Sequence, residues 1–194
     1  MFVVGIDPGL SRCGYAVVEA RPGQAHRAVA LGVIRTPPAD PVPLRLAELQ
    51  RELRSLLDEY EPAAVAVERV LFQVNVRTAM SVGQASGIAM AEAAGRGCEV
   101  VEYSPNEVKQ AVTGYGAATK QQVQIMVQTL LRLAKLPEPP DAADAAALAL
   151  THLAFVPALT AGRRPPPAPR TPTERPTPGR PTPGRPTDVA GAPR

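Results

Sequence analysis

The sequence predicts a mixed α/β domain built on a five-stranded sheet with helices on both faces. The first 34 residues hold three apolar, β-branched runs joined by short links, a pattern typical of an antiparallel meander. After residue 44, stretches with the helical spacing of apolar residues alternate with two more short apolar runs, which indicates strands that alternate with helices. With 194 residues, the chain has room for one ordinary domain with a proper core.

The first predicted strand runs from Phe2 to Asp7, and the Pro8-Gly9 pair after it forces a turn. The second and third strands are predicted over Cys13–Val18 and Ala28–Ile34. Asp7 therefore lies where a core strand leaves the sheet, a common position for a catalytic carboxylate. The alternative is that Asp7 only stabilises the turn by bonding its own backbone, and this stretch alone does not decide between the two.

An amphipathic helix and a fourth strand follow a proline-rich linker at residues 37–43. Leucines at three- and four-residue spacing predict the helix over Leu44 to Tyr60, and Pro62 closes it. Ala63–Val67 is predicted as a short buried strand. Glu68 stands at its end, so a second acid occupies the same kind of position as the acid of the first strand.

A long helix predicted over residues 76–94 is rich in small side chains. Gly83 and Gly87 lie in its middle, where a glycine costs about 1 kcal/mol relative to alanine. Both glycines therefore suggest that another backbone approaches closely, either the sheet beneath the helix or a second subunit. The fifth strand is predicted over Glu99–Tyr103.

Two capping boxes mark the starts of the next two helices. Ser104-Pro-Asn-Glu107 combines a capping serine, a proline at the first helical position and a glutamate that closes the box, and Thr119-Lys-Gln-Gln122 is a second box. Gly114-Tyr-Gly116 breaks the first of these helices, and the prolines at 137–140 stop the second. A last alanine-rich helix is predicted over Asp141–Phe155. The inward face of the second capped helix is predicted to consist of Val123, Val127, Leu130 and Leu131.

Composition changes sharply at Pro157. Residues 157–194 hold 12 of the 23 prolines, seven arginines, two acids and a direct repeat of Pro-Thr-Pro-Gly-Arg. Such a segment cannot bury enough apolar surface to offset its ordering entropy, so we predict a folded domain over 1–156 and a disordered, extended tail over 157–194. The tail either attracts polyanions non-specifically or only solubilises the chain, and we favour the second.

Charge and cysteine usage narrow the class of protein. The net charge of +3 comes from the tail: seven of the 21 basic and two of the 18 acidic residues lie there, which leaves 14 basic and 16 acidic residues in the domain. A basic balance is therefore no reason to expect the domain to bind nucleic acid. The two cysteines have no metal-ligand spacing and make no disulfide framework. Without an apolar leader or a run near the roughly 18 residues of a membrane span, we expect a reduced, soluble, cytoplasmic protein.

Four carboxylates stand out when they are considered together, those of Asp7, Glu68, Asp141 and Asp144. The last two are three residues apart on a helix and share one face, although capping and the helix dipole alone would also explain acids there. Buried acids at strand ends are costly unless they are paired or bound to a metal. An all-carboxylate set suits a hard cation such as Mg²⁺ or Mn²⁺. Two such ions about 3.5–4 Å apart would stabilise the attacking and leaving oxygens in phosphodiester cleavage.

Two of the three lysines and one polar loop are candidate DNA contacts. Lys109 and Lys120 lie on or beside helix starts, where they either contact a phosphate or belong to a solvated face. The loop after Glu68 mixes polar and apolar side chains, a combination suited to phosphate contact and to insertion between unstacked bases. Its candidate DNA-binding residues are Arg69, Leu71, Phe72 and Arg77, with Gln73 and Asn75 beside them.

Four segments in register resemble the RuvC family of crossover junction endodeoxyribonucleases. No single motif is very specific, but four in the same order are, and the resemblance covers residues 2 to 156. The segments are Gly5-Ile-Asp-Pro-Gly9 with Gly14-Tyr15; Ala66-Val-Glu68 with Gly83-Gln84-Ala85 and Gly87; Val108-Lys-Gln110 with Gly114, Lys120 and Gln122-Val123-Gln124; and Asp141-Ala-Ala-Asp-Ala145 with Thr151-His152.

The resemblance implies a ribonuclease H-like fold, a homodimer, and Mg²⁺-dependent nicking of two symmetry-related strands of a four-way (Holliday) junction in recombination and repair. In the family, acids matching the four carboxylates form the metal site, which we expect to hold two ions per subunit, with Mn²⁺ able to substitute. Cations matching Lys109 and Lys120 are needed for activity. Water attacks in line and leaves 5′-phosphate and 3′-hydroxyl ends.

The resemblance also implies a partnership with the RuvA–RuvB branch-migration machinery and a preference for a short thymine-containing sequence at the cut. This sequence departs from the family at two places. Some members have a base-contacting aromatic residue three positions after the glutamate, where this chain has Leu71 with Phe72 next to it. The proline- and arginine-rich tail has no counterpart in the family core.

Two alternatives from other classes remain. A strand followed by Asp-x-Gly and a second strand also opens the fold of sugar kinases, actin and Hsp70 ATPases, but that architecture duplicates the domain around a nucleotide, for which this chain is too short. A non-catalytic scaffold that only binds junctions is the other alternative, although it would not need all four acids. Cutting of a labelled junction with Mg²⁺ but not with EDTA would separate a nuclease from both.

Overall fold

A computed structural model of the chain describes residues 1–21, 23–70 and 76–160, apart from the side chains of 76–78 and 156–160. The predicted kinds and order of elements are confirmed. The strands are β1 (Phe2–Asp7), β2 (Arg12–Glu19), β3 (Arg27–Arg35), β4 (Ala64–Glu68) and β5 (Glu99–Tyr103). The helices are α1 (Val42–Tyr60), α2 (Val76–Gly95), α3 (Pro105–Thr113), α4 (Lys120–Leu130) and α5 (Pro140–Thr160).

The five strands form one mixed sheet in the order β3-β2-β1-β4-β5. β1, β2 and β3 pair antiparallel through short links, as predicted. β4 pairs parallel to β1, and β5 pairs parallel to β4, because α1 and α2 return the chain to the same end of the sheet. The C-terminal ends of the neighbouring strands β1 and β4 therefore lie side by side at the same end of the sheet.

Helices cover both faces of this sheet, as predicted. Leu49, Leu53 and Leu57 of α1 form one buried core with apolar side chains of β1, β4 and α2. From the two strands these are Val4, Ile6, Val65 and Val67. The alanines of α5, together with the inner faces of α3 and α4, form the core on the opposite face. Glycine allows α5 to lie directly on the strand backbone, since a Cβ added at Gly5 would be 1.8 Å from the carbonyl oxygen of Ala145.

Three details differ from the predictions. Leu130 is 40% exposed, whereas the other three residues of the predicted inward face are buried; the buried stripe of α4 is centred on Val127, and Leu130 lies at its margin. α4 ends at Leu130, before any of the prolines that were predicted to stop it. Pro140 instead begins α5, a position that suits proline because the first helical N–H has no intrahelical partner. α5 also extends to Thr160, past its predicted end at Phe155. The predicted tail beyond Thr160 lies outside the described residues, so the domain boundary stays a prediction.

The glycines of α2 face open space within this chain. No heavy atom of the described residues outside the helix's own local backbone lies within 4 Å of a Cβ added at Gly83 or Gly87. Of the two alternatives predicted for these glycines, close approach of the sheet is therefore wrong, and contact with a second subunit stays a prediction. None of the helices in the described part of the chain is long and apolar enough to span a membrane.

Candidate active site

Two carboxylates meet at the C-terminal edge of the sheet. Asp7 is the last residue of β1 and Glu68 is the last residue of β4, and the register of these parallel strands pairs Ile6 with Val67 just before them. The two carboxyl groups lie close enough to share a proton. Their spacing is set by the ladder of the sheet and not by a loop.

Asp144, in α5, faces the same space as the two strand acids. Between them lies a cavity of about 390 Å³ at the edge of the sheet. Apolar side chains of α3, α4 and α5 form the rest of its wall, so the acids lie in a partly desolvated recess. The charged residues that line it are Asp7, Glu68, Asp144, Lys109 and Lys120.

The first turn of α5 is held at this edge by a glycine of β2. Gly14 pairs with Asp7 across the antiparallel ladder. A Cβ added at Gly14 would lie 2.2 Å from the carbonyl oxygen of Asp141, so any larger residue would push the start of α5 away from the sheet. Gly5 and Gly14 therefore let α5 pack close enough to the sheet to bring its acids to the ends of β1 and β4.

Burial and mutual repulsion shift the protonation of the strand acids. Burial, followed by the charges of Glu68, Asp144 and Asp141, raises the pKa of Asp7 to about 8. Burial and the charge of Asp144 also raise the pKa of Glu68, although its hydrogen bond with Asp7 and the charge of Lys120 oppose this. At neutral pH the Asp7–Glu68 pair therefore holds a proton in a place where a cation would relieve the same repulsion.

The two predicted phosphate-binding lysines lie at the mouth of this recess, on α3 and α4. Lys120 contacts Asp144 directly, with an Nζ–Oδ2 distance of 2.6 Å. Both helices begin at the predicted capping boxes, in which the Ser104 and Thr119 side chains accept from the backbone of the third helical residue. The caps fix the helix starts and thereby the positions from which Lys109 and Lys120 reach the cavity.

Asp141 is placed differently from the other three acids. Its carboxylate is bound by Arg12 of β2, with an Nη2–Oδ2 distance of 2.5 Å, and it does not line the cavity. The hydrogen bond from Arg12 lowers the pKa of Asp141. Arg12 is not among the residues predicted from the sequence; the signal that could have identified it is its position two residues before Gly14, on the strand next to Asp7.

The polar loop after Glu68 is described only at its start. The Arg69 guanidinium donates to the carbonyl oxygen of Glu102 at 3.2 Å and lies 3.8 Å from the Glu107 carboxylate, so the side chain turns toward the β5–α3 connection. Leu71, Phe72 and the side chain of Arg77 lie outside the described residues. The DNA contacts assigned to this loop therefore stay predictions.

The chemistry of the acids fits a hard divalent cation. Three carboxylates from three segments line one recess, and the charges of Glu68, Asp144 and the nearby Asp141 all raise the pKa of Asp7. Among the described side chains, no three carboxylate, histidine or cysteine groups already stand at the spacing of a bound ion. Arg12 and Lys120 hold the two α5 acids instead. The four-acid metal site thus remains a prediction.

Comparison with known proteins gives one consistent family. A family model described as crossover junction endodeoxyribonuclease RuvC matches residues 3–152. The RuvC crossover junction endodeoxyribonuclease of Salinispora arenicola is 54% identical over 153 residues, which cover 79% of this chain and 87% of that protein.

Solved structures agree with the sequence comparison. Thermus thermophilus RuvC matches with a TM-score of 0.76 over 82% of this chain and 98% of its own. T. thermophilus RuvC in complex with Holliday junction substrate matches with a TM-score of 0.78 over 82% and 97%, and both are 36% identical to this chain. The predicted fold, a ribonuclease H-like mixed sheet of five strands with helices on both faces, is confirmed by this likeness.

Proposed function

Since the chain belongs to the RuvC family of crossover junction endodeoxyribonucleases, we propose that it resolves four-way DNA junctions by nicking two symmetry-related strands with Mg²⁺ as cofactor. The observation that supports this most directly is the meeting of acids from β1, β4 and α5 in one recess beside two lysines. The cuts leave 5′-phosphate and 3′-hydroxyl ends that a ligase can seal, as recombination and repair require. We infer the cytoplasm as the site of action, where the DNA substrate is.

We propose that the four acids hold the metal, with two ions per subunit and Mn²⁺ able to substitute. When bound, the ions would stabilise the attacking and leaving oxygens of the phosphodiester. Asp7 and Glu68 would release the proton that they hold at neutral pH, and Asp144 would exchange its contact with Lys120 for the cation. No side chain has to act as a covalent nucleophile in this reaction, because water attacks the phosphorus in line.

The two lysines are proposed to bind the phosphates around the cut. Lys120 is well exposed and close to the acids, so it can leave Asp144 when a phosphate enters. Lys109 lines the recess and forms no ion pair with any described residue. Arg69 and Arg77 would contact the backbone further along, and Leu71 or Phe72 would contact bases.

A homodimer matches the symmetry of the substrate. A four-way junction has approximate two-fold symmetry, so two identical sites related by a two-fold axis can cut strands of like polarity at paired positions. We propose that α2 contributes to the dimer contact. Along its outer side lie Met80, Gly83, Gly87 and Ala91, which are small or apolar, and the space over both glycines is open.

We infer that the chain works with the RuvA–RuvB branch-migration machinery, as its family does. The nuclease domain spans the first 156 residues, extended by the last turn of α5, and the proline- and arginine-rich tail is given no role in catalysis.

The test uses a labelled synthetic junction with full-length protein. Wild type is expected to cut two opposite strands with Mg²⁺ or Mn²⁺ and not with EDTA. Asp7→Asn should abolish cutting and leave junction binding nearly intact, because it removes a metal ligand and not a DNA contact. Asp40→Asn, the same change at an exposed turn before α1, is the control and should cut normally.

The alternatives give different outcomes in the same assay. A scaffold would shift the junction in a gel with any metal and leave it uncut, and a kinase-like protein would hydrolyse ATP without DNA. Either result would remove the proposed function. Loss of junction binding together with cutting in Asp7→Asn would contradict the role given to Asp7.

A further inference from the structure

Arg12 separates one of the four predicted metal ligands from the other three. Its guanidinium makes three contacts with the Asp141 carboxylate: Nη2–Oδ2 at 2.5 Å, Nε–Oδ2 at 3.2 Å and Nε–Oδ1 at 3.4 Å. Asp7, Glu68 and Asp144 line the recess, whereas Asp141 does not. The arginine therefore holds this carboxylate outside the space where the ion is expected.

The packing of β2 against α5 enforces this contact. Arg12 and Gly14 are two residues apart on β2 and so project to the same face of the sheet. Gly14 lies directly beneath the backbone of Asp141. Because the strand and the first turn of α5 are held together there, the guanidinium and the carboxylate meet without any loop having to move.

A phosphate can replace Asp141 on this arginine. The planar fork of a guanidinium fits a phosphate as well as it fits a carboxylate, which an ammonium group does not do. The Arg12 side chain is 39% exposed and the Asp141 side chain 25% exposed, so a DNA backbone at the recess can reach the pair. Once a phosphate binds the guanidinium, the Asp141 carboxylate loses its arginine partner while it still lies near three other acids.

We propose that Arg12 is a positioning residue that withholds Asp141 from the metal site until a DNA phosphate takes its place. Metal loading would then be coupled to junction binding. A phosphate that binds Arg12 would free Asp141 for the metal, and a metal that binds Asp141 would free Arg12 for a phosphate. The free protein would hold an incomplete set of ligands, and the complete set would form only on DNA. This inference rests on the proposed nuclease function and adds the order in which the site is assembled.

The test measures binding and not cutting, on full-length wild type, Arg12→Gln, Arg12→Lys and the control Arg27→Gln. Arg27 is an exposed arginine of β3. It pairs with Glu19, which lies at the opposite end of β2 from Arg12. Calorimetric titration with Mn²⁺ gives the metal affinity without DNA, and gel shifts in EDTA at several salt concentrations give the junction affinity. Circular dichroism confirms that each variant is folded.

In Arg12→Gln we expect DNA-free Mn²⁺ affinity to rise about two- to fivefold, the range of a partly exposed ion pair. Junction affinity in EDTA should fall, and the slope of log Kd against log salt should decrease by about one per subunit. A residue with only a structural role would not raise one affinity while lowering the other. Arg12→Lys keeps the charge and should stay within about twofold of wild type for Mn²⁺, as should Arg27→Gln.

Unchanged or weaker Mn²⁺ binding by Arg12→Gln would overturn the inference, and so would a rise in Arg12→Lys equal to that in Arg12→Gln. If Arg12→Gln does not fold, the junction affinity of Arg12→Lys in EDTA still decides: it should fall because the lysine lacks the fork, while the salt slope stays near that of wild type because the charge is retained. Unchanged junction affinity in Arg12→Lys would then overturn the inference. If wild type cuts junctions but the Arg12 variants do not show the expected binding changes, only this inference is wrong and the proposed function stands. Wild type that binds no Mn²⁺ with or without DNA removes the proposed function as well.

Discussion

Replacing Asp7 with asparagine should make the metal-free protein more stable while removing its activity. The native environment favours the protonated acid, because burial and three neighbouring acids oppose a charge at this position. An asparagine has nearly the shape of that protonated acid and can donate a hydrogen bond to Glu68. The substitution therefore removes a charge repulsion that in the wild type is relieved only by a proton or by a bound cation.

The size of the effect follows from the pKa of Asp7, which rises from 3.8 to about 8 on folding. The native state then binds a proton that the unfolded chain has lost, so the free energy of unfolding falls as the pH rises from about 4 to about 8. At pH 7, roughly three pKa units at 1.36 kcal/mol each set an upper limit near 4 kcal/mol. Relaxation around the site reduces the expected gain of Asp7→Asn to about 1–3 kcal/mol, or about 3–10 °C in Tm for a domain of this size.

The assay is thermal unfolding in EDTA between pH 4 and pH 8 for wild type, Asp7→Asn and the control Asp40→Asn. The Tm difference between Asp7→Asn and wild type should be near zero at pH 4 and largest near pH 8, and the control should follow wild type throughout. Added Mg²⁺ should then stabilise wild type by about 2.7 kcal/mol at a hundred times its Kd, and should stabilise Asp7→Asn less. Equal Tm values at pH 7, or a difference that does not change with pH, would refute the electrostatic reasoning.

Three further predictions concern the rest of the molecule. Gly83→Leu should give a folded monomer in sedimentation experiments, because the space over Gly83 is open within the chain; an unchanged, active dimer would contradict the subunit contact. Truncation after Thr160 should leave the junction cleavage rate within a few-fold at physiological salt, and a collapse of that rate would show that the tail takes part. Glu92→Gln removes ion pairs with Arg54 at 2.8 Å and Arg96 at 2.6 Å, so urea denaturation at pH 7 should show a loss of about 1–3 kcal/mol. Hydrogen bonds from Arg54, Arg96 and a glutamine lower the pKa of Glu92 to about 2, so this loss should shrink as the pH falls from 4.5 toward 2, and a loss independent of pH would count against the pairing.

The parts of the site that could be predicted are those set by local pattern. An apolar run that ends in an acid identifies Asp7 and Glu68 without any knowledge of their neighbours, because a parallel sheet brings equivalent strand ends to one edge. The capping boxes at Ser104 and Thr119 are local in the same way, since serine or threonine and the third helical residue satisfy each other's backbone groups. These patterns locate two acids and the starts of the helices that bear the lysines.

The contacts that could not be predicted depend on packing between distant segments. Arg12 and Asp141 are 129 residues apart and meet only because glycine in β2 admits the backbone of α5. No spacing rule relates them, so the division of the acids into one held by Arg12 and three in the recess was not visible. The glycines of α2 show the same limit, because a helical pattern cannot tell whether a small residue faces its own sheet or empty space.

The absence of a side chain at Gly5 and Gly14 limits which substitutions the protein can accept in evolution. An alanine at either place would force the first half of α5 outward by about an ångström, since its Cβ would lie only 1.8 Å (at Gly5) or 2.2 Å (at Gly14) from a carbonyl oxygen of α5. The placement of the α5 acids is therefore inherited through two positions that tolerate no side chain, and a lineage that lost either glycine would lose the geometry of the reacting centre with it.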